Sequence, residues 1–236
     1  VNGFGMPTLL LKLALFFGAL VWLIINRVDG KAADYPFTKF KYGLLIVLAP
    51  LVVTAAVVQL LYFLNLKSDV ITSCCSRMFV PEGGGVEADL ASLEPNLALW
   101  LLFGGLAVMA VLAALALKFR VVQMIYGIAS IVFFIISIAA IVSVISPYIY
   151  AQPHHHCPFC VIKPEYGYIG YWLYLPLFTA TGFGIAAGLL SLRPALNSQG
   201  LDFNKTLQRQ ILISFGLFAI FGLVSLIAIW KSNLML

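Results

Sequence analysis

Six runs of apolar residues divide the chain, at 9–25, 42–64, 97–117, 121–145, 168–192 and 211–230. Each is close to the roughly 20 residues that carry a helix across a hydrocarbon core about 30 Å thick. The runs are continuous and show no two-residue alternation. Backbone amides placed in lipid must find partners within their own segment, so such runs cross as helices and not as barrel strands. The pattern predicts an all-α, polytopic membrane bundle of about six transmembrane helices. It is expected to form a single domain over 1–236 with two extended loops, at 65–96 and 146–167. The first run is longer than a signal-peptide core and ends in Asn26 and Arg27 without a small-residue cleavage pattern, so it is expected to be retained.

Composition agrees with this reading. Hydrophobic residues make up 62% and charged residues 10% of the chain, with a mean hydropathy of +1.03, whereas about a quarter of a soluble domain is charged. The net charge of +5 does not point to nucleic acid, because the basic residues stand singly and form no patch with interleaved aromatics. Their distribution follows topology instead. Arg27, Lys31, Lys39, Lys41, Lys118, Arg120, Arg193, Lys205 and Arg209 fall in the first, third and fifth connections, against Lys67, Arg77, Lys163 and Lys231 on the other side. Lysine and arginine concentrate on cytoplasmic loops. Both termini and both long loops are therefore expected outside the cytoplasm, in a bacterial inner membrane with the loops in the periplasm.

All four cysteines lie in those two loops. The 146–167 loop carries His154-His155-His156-Cys157-Pro158-Phe159-Cys160. A two-residue spacing lets the sulfurs close a small disulfide or share one metal ion. If the chain turned helical after Cys157, the free amides of the first turn would favour its thiolate, the attacking species in disulfide exchange. Val161 stands where c-type haem attachment requires histidine, so that cofactor is not expected. The other loop carries Cys74 and Cys75, which as neighbours can form only a strained, easily reduced ring. Three chemistries stay open: a redox relay through Cys74, Cys75, Cys157 and Cys160; metal capture by His154, His155, His156, Cys157 and Cys160, with zinc, copper or mercury as the ion and Met78 nearby; and disulfides that only staple the loops. The tyrosines around the second loop, Tyr148, Tyr150, Tyr166, Tyr168, Tyr171 and Tyr174, with Trp172, are expected mostly to form an interfacial aromatic belt.

Cys157-Pro158-Phe159-Cys160-Val161-Ile162-Lys163, followed by an aromatic-rich helix, resembles the redox motif of the DsbB and vitamin K epoxide reductase group of membrane thiol oxidoreductases. The resemblance implies that Cys157 and Cys160 pass electrons to a membrane quinone, and that Cys74 and Cys75 exchange with an external thiol protein. The chain departs from that group in having six expected helices where the group's core has four, and in the adjacency of Cys74 and Cys75.

The leading expectation is a membrane thiol-disulfide oxidoreductase linking a periplasmic or extracellular thiol partner to a quinone. The alternatives are a metal-handling membrane protein and an accessory subunit of a larger respiratory or electron-transfer complex. Lys12 is expected to snorkel from the first span to the headgroups. Gly182, Gly184 and Gly188 are expected to mark a close helix contact. Scattered serines, Gln59 and Gln123 offer no series of buried acids or bases, which argues against an ion pump.

Overall fold

The computed structural model describes residues 2–66, 93–192 and 202–234. Among them all regular structure is helical: α1 (Gly5–Asp29), α2 (Thr38–Leu64), α3 (Pro95–Ala116), α4 (Arg120–Ala140), α5 (Ser146–Tyr150), α6 (Ile169–Ser191) and α7 (Phe203–Lys231). A π-helical turn, Ile141–Ile145, joins α4 to α5, so that Arg120–Tyr150 crosses as one span. Among the described residues six helices are long and apolar enough to cross a membrane, and the chain is an integral membrane protein. Contacts divide it into two compact units, Val1–Ile71 with Leu192–Leu207 and Thr72–Ser191 with Gln208–Leu236.

The first unit is built on the α1–α2 hairpin. Its turn is closed by Asp29, which is fully buried. One carboxylate oxygen accepts from the Phe37 amide at 2.7 Å and the other pairs with Lys41 Nζ at 2.7 Å. Lys41 Nζ also donates to Asn26 Oδ1 at 3.0 Å, and Trp22 Nε1 donates to the Lys41 carbonyl at 3.1 Å. Hydrophobic patterning gave no sign of this lock, since Lys41 counts only among the basic residues of the first connection and Asp29 is not marked. Lys12 is exposed on α1, where its stem can reach the headgroups.

In the second unit α4 packs on both α3 and α6. Glycine makes the second of these contacts possible. A Cβ added at Gly127 would lie 2.8 Å from the Gly188 Cα, and one at Gly184 would strike the Ser130 hydroxyl. Small residues let helix backbones approach in lipid, where dispersion replaces the hydrophobic effect as the cohesive force. A buried hydrogen-bond chain crosses this packing, from the Tyr126 hydroxyl to Ser214 Oγ at 3.0 Å and from there to the Ala180 carbonyl at 2.7 Å. Such interhelical bonds contribute roughly 0.6 kcal/mol on average.

The two ends of this unit differ. At one end Arg120 Nε donates to the Ser191 carbonyl at 3.0 Å, and Gln208 Nε2 to the Leu117 carbonyl at 2.8 Å. At the other, Ser232 Oγ donates to the Tyr148 carbonyl at 2.7 Å, beside the segment that carries Cys157 and Cys160. An open apolar groove of about 540 Å³ runs between α3 and α4, past Trp100, Gly104, Val108, Ile128 and Val132.

Candidate metal centre

The site begins inside the span. The π turn is wholly buried, and its i to i+5 ladder runs out at Pro147, which has no N–H to give to the Val142 carbonyl. His156 meets this change in the ladder: its Nδ1 lies 3.1 Å from the Val142 carbonyl. A carbonyl can only accept, so Nδ1 carries the proton. The span then ends at Ala151, which takes the left-handed conformation (φ 52°) that stops a helix. Beyond it the chain makes a loop, a short 3-10 turn at Cys160–Ile162, a second at Pro164–Tyr166, and a left-handed Gly167 (φ 62°) before α6. An α-helix does not start after Cys157. The first turned segment is only Cys160–Ile162, because Pro164 and Gly167 break the run. The helix-terminus route to an activated Cys157 thiolate is therefore absent.

Two tyrosines brace this loop from the helices on either side. The Tyr150 hydroxyl donates to the Cys157 carbonyl at 2.6 Å, and the Tyr174 hydroxyl to the Pro158 carbonyl at 2.5 Å. Consecutive carbonyls are thus held by different helices. The Tyr150 ring also packs against His155 (centroids 4.4 Å apart) and Tyr166 (4.5 Å). Gly170 lets the start of α6 lie against the Cys160–Ile162 turn, since a Cβ there would come within 2.8 Å of Val161 Cγ2 and 2.9 Å of Ile162 Cγ1. Tyr150, Tyr166 and Tyr174 therefore serve as scaffold for the loop, whereas Tyr168, Tyr171 and Trp172 are exposed.

This scaffold brings three donors together. A ring nitrogen of His155 and the sulfurs of Cys157 and Cys160 all lie within 4.8 Å of one another. Cys157 and Cys160 are 1% and 4% exposed, and Cys157 is a thiol. Nε2 of His155 is buried without a hydrogen-bond partner among the described residues. Burial, followed by the fields of His156 and Lys163, holds the His155 imidazole below its usual pKa. This favours the neutral ring, which keeps a lone pair. Ligands on a common ion, with metal–sulfur bonds of about 2.3 Å and metal–nitrogen bonds of about 2.0 Å, stand roughly 3.5–4 Å apart. Small side-chain rotations would close the observed spacing to that value.

Of the five residues expected from sequence as ligands, His155, Cys157 and Cys160 converge, His154 is exposed, and His156 is engaged by the Val142 carbonyl. Cys74, Cys75 and Met78 lie outside the described residues, as does the expected approach of the first cysteine pair to the second. Sequence placed Tyr150 and Tyr174 in the aromatic belt and did not mark Gly170. The available signal was the placement of a tyrosine at each helix end flanking the cysteines. No protein-family profile, curated protein or solved structure matches this chain, so the site is interpreted from its own chemistry.

Proposed function

We propose that this protein captures a thiophilic metal ion at the His155–Cys157–Cys160 cluster, on the non-cytoplasmic side of a bacterial inner membrane. The observation that carries the reading is the convergence of two buried sulfurs and an imidazole within 4.8 Å, beside a buried ring nitrogen that has no other partner among the described residues. An unpaired buried polar atom costs about 1–3 kcal/mol, and coordination through that nitrogen would remove the cost. Two thiolates and one imidazole form a donor set for zinc or copper, not for magnesium or calcium, which take oxygen ligands. The test is metal analysis of the purified full chain after exposure to zinc or to reduced copper. About one ion per chain is expected, with loss in Cys157→Ser and Cys160→Ser. Wild-type protein that retains neither ion would sink the proposal.

A second reading, thiol-disulfide exchange with an external thiol protein and a membrane quinone, has the closeness of the two sulfurs in its favour. Against it stands their burial, because an incoming protein thiolate must reach a sulfur directly. Under that reading Cys160→Ser accumulates a mixed disulfide between Cys157 and its partner, visible on non-reducing gels. Under metal capture no such species forms.

A further inference from the structure

The ion itself can be named from the same cluster, an inference that rests on the metal-capture reading. Donor softness, donor number and the surrounding medium together decide which ion a site holds. Two sulfurs and an imidazole favour zinc and cuprous copper. Zinc takes a fourth ligand, either from protein or as water in an open position.

Among the described residues, the neighbours supply neither. His154 and Glu165 are exposed. His156 donates Nδ1–H to the Val142 carbonyl and lies outside the group of donors within 4.8 Å of one another, while the Tyr150 and Tyr174 hydroxyls are spent on the Cys157 and Pro158 carbonyls. Where a bound water would need room and partners, the cluster is lined by Val161, Ile162, Ile149 and Ile169 and covered by the Tyr150 ring. Cuprous copper has a filled d shell and a single charge. It is stable with two soft thiolates and an imidazole in a plane and needs no water.

We propose that His155, Cys157 and Cys160 form a three-coordinate site for cuprous copper, with two thiolate ligands and one imidazole. Loading displaces the two thiol protons to solvent. Copper enters and leaves in the +1 state, so no electron is transferred. The resulting complex carries one negative charge, which Lys163, whose field reaches His155, partly offsets.

The experiment uses the full chain in detergent micelles, kept anaerobic and reduced. It is loaded with cuprous copper or with zinc, and the metal environment is read by X-ray absorption. Expected for copper are two sulfurs at about 2.3 Å and one nitrogen at about 2.0 Å, with zinc displaced when both ions compete. His155→Ala should remove the nitrogen scatterer and weaken copper retention at least about tenfold, and His154→Ala should change neither. The wild-type spectrum stands even if His155→Ala fails to fold. Four-coordinate zinc that copper does not displace, or copper bound by sulfur alone, overturns the cuprous assignment and leaves metal capture standing. Retention of neither ion overturns both.

Discussion

At the scale of single residues, the hydroxyls of Tyr150 and Tyr174 separate this loop from an ordinary connection. Each holds a carbonyl next to or within the Cys157-Pro158 pair, which fixes the direction in which the sulfurs leave the backbone. Tyr174→Phe keeps the ring and removes one hydrogen bond. It should lower stability by about 1 kcal/mol and weaken metal retention by about tenfold, whereas Tyr171→Phe, at an exposed ring, should leave both unchanged. Equal retention in the two variants, measured by chelator competition, would remove Tyr174 from the site's support. The cysteines were legible from their spacing because a two-residue interval has few other uses beside three histidines. The tyrosines were not, because an aromatic at a helix end ordinarily faces the headgroups, and only the position of the loop distinguishes a brace from a belt.

At the scale of elements, the span Arg120–Tyr150 holds the site in phase through its π turn. The π turn absorbs one extra residue, so that Tyr150 and the loop behind it keep the face of the helix before it, whereas a further residue adds about 100° of helix rotation. Insertion of one alanine after Val144 should turn Tyr150 away from Cys157. Metal retention should fall to background while the helical circular dichroism stays close to wild type. Retention at the wild-type level would show that the phase of this span has no part in setting the site. The span was readable as an apolar run, since lipid demands internally bonded backbone whatever the local pitch. The π turn was not, because Ile141 to Ile145 are apolar and fit either ladder equally well. The buried Asp29–Lys41 pair escaped for the opposite reason: two charges near a turn look solvated until the turn is folded over them.

For the whole molecule, the count and order of spans followed from hydropathy alone, and the asymmetry of lysine and arginine sets the orientation we propose. A reporter active only outside the cytoplasm should be active when fused after Gly85 or Gln152 and silent when fused near Lys39 or Gln199. The reverse pattern would move the metal centre to the cytoplasmic face. The hydrogen bond from Ser232 to the Tyr148 carbonyl bears on how such experiments are done. It anchors the end of α7 next to the span that supports His155, so a polyhistidine tag added at the carboxyl end would hang a string of competing imidazoles beside the cluster. A tag of that kind would scavenge the ion being measured and imitate the binding it was meant to report. Purification through a handle without metal affinity is therefore part of the chemistry of this protein, since the apparent stoichiometry depends on it.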